Sequence, residues 1–143
     1  MCHFHQKKTI IQYLTKNPKL EIAIQLQKLM YSLTKTTKIK FTKRLNKWHT
    51  KYESILYEKT INSETNKSSY THPKIVSAYR NILYNLPYLF TYEKYPNMKI
   101  QHTTNALDGG VFSPMKKLIK IHNGFSKSLK IKMVDDYLVN YRK

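Results

Sequence analysis

The sequence predicts a mainly α-helical protein. Three observations predict it. Apolar residues recur at spacings of three and four along most of the chain, the period of one helix face. Boundary signals at Asn17-Pro18, His72-Pro73 and Asn123-Gly124 punctuate those stripes. No convincing run of alternating apolar and polar residues marks a strand, and no internal repeat is present.

The chain opens with Met1-Cys2-His3-Phe4-His5-Gln6, which carries no helix-start signal. A first short helix is therefore expected over 7–15, ending at Asn17-Pro18. In the second, Ile22, Leu26, Leu29, Met30 and Leu33 make one apolar stripe. The third is the clearest, with Phe41, Leu45, Trp48, Tyr52 and Ile55 on one face and Lys40, Lys43, Arg44, Lys47 and Lys51 on the other. Residues 61–69, rich in Asn and Ser, read as a loop.

Thr71-His72-Pro73 opens a fourth helix, with Thr71 or His72 at the cap and Pro73 in the first turn. Its expected apolar face is Ile75, Val76, Tyr79, Leu83 and Leu86, and Pro87 is expected to end it. The aromatic stretch 88–95 reads as an extended or irregular connection. A further helix is expected from Thr104 or Asn105, with Leu107, Val111, Met115, Leu118 and His122 on one face and a kink at Pro114. The competing start has Ser113 as cap and Pro114 at the first position. Asn123-Gly124 is a C-cap signal. Ser126 caps a last helix bearing Ile131, Val134, Leu138 and Tyr141.

Bulk properties bound the function. At 143 residues the chain is long enough for one domain with a real core, but not comfortably for two. A hydrophobic fraction of 41% and twelve Tyr argue against a disordered tail. The net charge of +18 makes a compact state repel itself, so a polyanionic partner is expected, with nucleic acid ahead of an anionic membrane surface. The cations are mostly Lys, and only Arg44, Arg80 and Arg142 are Arg. Lys meets phosphate as a point charge whereas Arg also reads base edges, so backbone contact is favoured over sequence reading. Part of the Lys excess is also what AT-rich codons supply. The candidate DNA contacts are Lys40, Lys43, Arg44, Lys47 and Lys51, together with Lys116, Lys117 and Lys120.

The single Cys2 excludes an internal disulfide framework and fits a reducing compartment. Lys7 and Lys8 interrupt any signal-peptide core, and Arg80, two Asn and Pro87 interrupt the longest apolar stretch. A cytoplasmic, membrane-free protein is expected. His49, His72, His102 and His122 are scattered and read as surface or helix-terminal residues. No P-loop, dinucleotide fingerprint or nucleophile elbow occurs.

The motif Thr103-Thr104-Asn105-Ala106-Leu107-Asp108-Gly109 sets a carboxylate in a neutral, helix-opening context. After His122-Asn123-Gly124-Phe125-Ser126 comes Lys127-Ser128-Leu129-Lys130-Ile131-Lys132. Together these segments resemble the C-terminal catalytic part of Mutator-like insertion-sequence transposases. In that family a Thr-Thr-Asn-x-Leu-Glu-Gly motif carries the last acid of a three-carboxylate site. The resemblance implies that Asp108 is that acid, one methylene shorter than the usual Glu, with Thr104, Asn105 and Gly109 completing the motif. The N-terminal Cys2 and His5 match the family's Cys-x-x-His, which lies shortly after its second catalytic Asp.

The resemblance implies one partial ribonuclease-H-like domain with its sheet largely missing. Residues 1–70 are then a helical insertion with the N-terminal Cys-x-x-His, and 71–143 hold the last catalytic helix and the C-terminal helix. In the full-length family protein, two Mg²⁺ ions would clamp the attacking and leaving oxygens of DNA strand transfer. One carboxylate cannot organise two metals, so the chain alone is expected to be inactive, with no cofactor of its own. DNA and full-length transposase are the implied partners.

Rival readings stay open. Asp108 can simply balance a helix dipole. Cys2, His3 and His5 can be read as zinc ligands, although structural zinc needs four. The chain can be a non-enzymatic basic helical nucleic-acid-binding protein, or a product whose stripes lack their partner sheet.

Overall fold

A computed structural model describes residues 1–98, 100, 101 and 103–141. Among them are six α-helices and a single two-stranded antiparallel hairpin, so the protein is mainly α. Contacts divide the chain into two compact units, Met1–His102 and Thr103–Lys143. Among the described residues no helix is long and apolar enough to cross a membrane.

The first unit holds α1 (His3–Leu14), α2 (Glu21–Tyr31), α3 (Lys38–Leu56), β1 (Lys59–Ile61), β2 (Ser68–Tyr70) and α4 (Pro73–Leu89). Helix α1 packs along α4 and α2, and α3 closes against α2 and α4. Their apolar stripes meet in one core centred on Ile10, Leu26, Phe41, Leu45 and Ile82, each wholly buried. The predicted stripe of α2 is buried throughout, including Leu33 in the following short 3₁₀ turn.

Two stripe assignments shift by one residue. On α3 the last core residue is Leu56, whereas Ile55 is 39% exposed. At 100° per residue, positions 55 and 56 lie about 50° on either side of the centre of the Phe41-Leu45-Trp48-Tyr52 stripe. Periodicity alone cannot choose between them. On α4, Ile82 is buried and Leu83 exposed, because Ile82 lies nearer the centre set by the buried Ile75, Val76, Ala78 and Tyr79.

Helix α1 begins at His3, not at position 7. Tertiary contacts supply the missing start signal. His3 is wholly buried, its Nε2 lies 2.6 Å from the Leu89 carbonyl, and its ring meets Phe90 and Tyr92 edge-on. Gln6 is buried beside it and donates to Asn81 Oδ1 at 3.0 Å. Pro87 likewise does not end α4, which continues to Leu89. Leu89 and Phe90 are both 1% exposed, and their burial offsets the backbone hydrogen bond lost at the proline.

Residues 61–69 contain the turn of a hairpin, not a plain loop. Lys59, Thr60 and Ile61 pair with Tyr70, Ser69 and Ser68. Asn62 Oδ1 accepts from the Glu64 and Thr65 amides, closing an Asx turn. Three-residue strands without a buried face leave no alternation to detect.

The link between α1 and α2 is strained. Thr15 has φ 69° and ψ 169°, a region that costs a β-branched residue about 1–3 kcal/mol. Gln27 holds it there by donating Nε2 to the carbonyls of Thr15 (3.1 Å) and Lys16 (3.0 Å).

The second unit contains a helical run over 105–121, a turn, and α6 (Lys127–Asn140). The run starts at Asn105 and passes through a π-helical segment, Leu107–Phe112, into α5 (Ser113–Ile121). Ser113 is itself helical and donates its amide to the Asp108 carbonyl, so it does not cap a separate helix. The widened π turn gives Pro114 room where an α turn would drive its ring onto Gly110. Ser126 caps α6 as predicted, accepting from the Leu129 amide at 3.4 Å. Gly124 has no positive φ, so the expected glycine C-cap does not form. Tyr137 donates to the Val111 carbonyl at 3.3 Å. No described residue of α5, α6 or the π segment is fully buried. The half-buried residues of α6 are Lys130, Met133, Val134 and Tyr137, so the predicted stripe shares only Val134 with the observed face.

Because α4 buries its stripe against α1 and α3, residues 73–89 belong with the N-terminal helices, and the division falls at 102/103.

Two substitutions test this packing. Phe41→Ala should cost about 3–5 kcal/mol through the cavity it leaves. Thr15→Gly should stabilise the protein by about 1 kcal/mol, since the relieved strain exceeds glycine's unfolded-state entropy. Urea unfolding midpoints measure both. A Thr15→Gly midpoint below that of the parent protein would show the turn unstrained.

Candidate nucleic-acid interface

Helix α3 is capped by Thr37, whose Oγ1 accepts from the Lys40 amide at 3.4 Å. Glu93 Oε1 accepts from the Lys38 amide at 2.9 Å, placing a carboxylate at the positive end of the helix. With Phe41, Leu45, Trp48 and Tyr52 turned inward, helical geometry turns Lys40, Lys43, Arg44, Lys47 and Lys51 outward, and all five are exposed. The predicted basic face therefore exists as one surface.

Its inner edge borders α2. The short connection after α2 brings Lys28 and Ser32 opposite Arg44, whose Nη1 reaches Ser32 Oγ at 3.5 Å. Between the helices lies a groove of about 370 Å³, rimmed by Lys28, Arg44, Lys47 and Lys51. Leu29, Trp48 and Tyr52 line its interior, and Trp48 Nε1 donates to the Ile22 carbonyl at 3.1 Å. Lys28, Ser32 and the groove itself are absent from the sequence prediction. The available signal was the i, i+4 spacing of Lys28 and Ser32 on a helix joined to α3 by a short turn.

A clamp engages two of the groove's lining residues, Lys51 and Tyr52. Glu21 Oε1 accepts from Tyr52 Oη at 2.9 Å and from Lys51 Nζ at 3.1 Å. The Tyr52 hydrogen bond, then Lys51, hold the Glu21 carboxyl below the usual carboxylate range. Among the predicted α3 cations, Lys51 is the one with a carboxylate partner.

Lys116, Lys117 and Lys120 are exposed on α5, within the second unit. In the same unit, Asp108 is exposed in the first turn of the helical run. Its amide donates to the Thr104 carbonyl at 2.8 Å, and Thr104 Oγ1 donates to Asp108 Oδ2 at 3.0 Å. Asn105 and Gly109 are exposed beside it, and a Cβ at Gly109 would meet open space. All eight Asp and Glu lie in described residues. Among the described residues no three His, Cys, Asp or Glu come together as a metal site. Asp108 and the Thr104 hydroxyl are held together here, and the two-cation chemistry that the resemblance implies would need further carboxylates beside them.

At the N-terminus, Cys2 is half-buried at the cap of α1 and His5 is exposed, its ring 5.5 Å from Phe4. The histidine between them, His3, is the one built into the core. His72 and His122 sit at helix ends, and His49 stacks on Tyr79 at 5.0 Å. His102 and Arg142 lie outside the described residues. No protein-family model, curated protein or solved structure matches this chain.

The Glu21 clamp has a defined pH signature. Its folded pKa is lowered, so its contribution is complete above the ordinary carboxylate range and is lost as pH falls through the lowered value. Glu21→Gln should flatten the acid limb of a stability–pH curve over that interval; an unchanged limb would remove the clamp. Titration with Mn²⁺ should show no stoichiometric binding, and Asp108→Ala should leave the trace unaltered. A saturable site lost in Asp108→Ala would show that Asp108 ligates metal without further carboxylates.

Proposed function

We propose that this chain binds nucleic acid through phosphate contacts to the α3 surface. The observation that supports it is the exposed row Lys40, Lys43, Arg44 and Lys47 on one face of a helix whose other face is locked in the core. A row of cations on a rigid element meets a regularly spaced polyanion without reordering. The predominance of Lys favours backbone contact without base reading.

A second reading keeps the transposase resemblance. In it the chain is part of a Mutator-like transposase that holds DNA while carboxylates elsewhere in the full-length protein complete a Mg²⁺ site with Asp108. Two observations favour it. Asp108 occupies the first turn of a helical run and is oriented by the motif's own Thr104. Among its described residues the second unit also has no buried apolar core, as expected of an element that packs on further structure. This reading places the chain in the cytoplasm and includes self-association with full-length transposase.

Fluorescence anisotropy with duplexes of unrelated sequence tests the shared claim. Six to ten phosphate contacts should lower affinity by roughly 10³–10⁵ between about 50 and 200 mM salt. The combined Lys40→Gln, Lys43→Gln and Lys47→Gln substitutions should reduce the slope of log affinity against log salt by about three. Affinity independent of salt, or confined to one sequence, would overturn the proposal.

A further inference from the structure

We infer that the α2–α3 groove is a dedicated seat for a backbone phosphate of double-helical nucleic acid, with Arg44 and Lys28 as its primary ligands. The inference rests on the proposed phosphate-binding function and locates it. A flat row of lysines and a groove rimmed from two helices differ physically. The groove brings cations from both sides of a concave surface, and low-dielectric walls concentrate their field within it. Lys28 comes from α2, and Arg44, Lys47 and Lys51 come from α3.

The donor set favours phosphate. Arg44 presents a planar fork suited to two oxygens of one phosphate. Its contact with Ser32 Oγ is long, 3.5 Å, so it aims the guanidinium without saturating it. Ser32 Oγ donates to the Leu29 carbonyl at 2.7 Å, which fixes the hydroxyl that receives Arg44. Lys28 and Lys47 add point charges. Glu21 tempers the site by engaging Lys51.

The interior points to a duplex over a single strand. Single-strand sites stack bases on exposed rings. Here Trp48 and Tyr52 line the groove yet are each only 5% exposed, and Trp48 is further held by its bond to the Ile22 carbonyl. The groove therefore offers charge and a guanidinium fork but no platform for a base.

Trp48 is the chain's one tryptophan, so its emission reports directly on this groove. The full chain is titrated with a duplex of arbitrary sequence, the matching single strand, inorganic pyrophosphate and phosphatidylserine vesicles. The duplex should alter Trp48 emission and bind more tightly than the other three. Arg44→Gln and Lys28→Gln should each weaken duplex binding about tenfold and abolish the emission change. Lys67→Gln removes an equal charge from the exposed hairpin turn, outside both the α3 row and the groove, and should cost only about two- to threefold, with the emission change retained. Glu21→Gln should strengthen binding, because it releases Lys51. Unaltered thermal unfolding of the Arg44 and Lys28 variants confirms that they fold.

Equal weakening by all three cation variants would overturn the groove assignment and leave the broader phosphate-binding function standing. Salt-insensitive or absent duplex binding would remove both. Single-strand preference, pyrophosphate binding as tight as the duplex, or tighter binding to vesicles would each overturn the duplex seat.

Discussion

The first unit depends on the apolar seam of α3. Phe41, Leu45, Trp48, Tyr52 and Leu56 are all at or below 5% exposed, and each side chain of this size contributes about 1.5–3 kcal/mol on leaving water. That burial opposes a net charge of +18. At Lys7 burial and, after it, the neighbouring Lys35 hold the ammonium below its ordinary pKa. Because the seam fixes the rotation of α3, it also fixes which cations face outward. The core and the candidate interface are opposite consequences of one helical phase.

Polar ties set where the other helices sit around that seam. Trp48 donates to the Ile22 carbonyl and so aligns α3 with α2. Gln27 bridges the carbonyls at the end of α1, and His3 meets the last residue of α4. These bonds join positions far apart in sequence, and each satisfies a group that would be expensive to bury unpaired. The tie between α2 and α3 matters most for function, since it brings Lys28 alongside Arg44.

The second unit follows a different economy. Its helical run and α6 are held by local capping and by Tyr137 on the Val111 carbonyl, with no wholly buried side chain among its described residues. Leu107, Ile121, Ile131 and Val139 are each at least half exposed. The π segment just before Pro114 shows how a motif ill suited to a regular helix is accommodated. The i→i−5 bond from Ser113 to Asp108 widens the turn while Thr104 orients the carboxylate.

By itself the sequence determined the mainly helical class, the stripes of α2 and α3, the Ser126 cap and the exposed basic face of α3. Each follows from local periodicity or a short capping pattern, which depend on neighbours within a few residues. Tertiary structure decided the rest. It extended α1 back to His3 and carried α4 past Pro87, because burial against distant residues outweighed weak or adverse local signals. It chose Leu56 over the equally placed Ile55, and it paired two short exposed strands that show no alternation. Above all, it made the groove. Lys28 and Arg44 lie on different helices, and only the packing of α2 against α3 brings them to one rim.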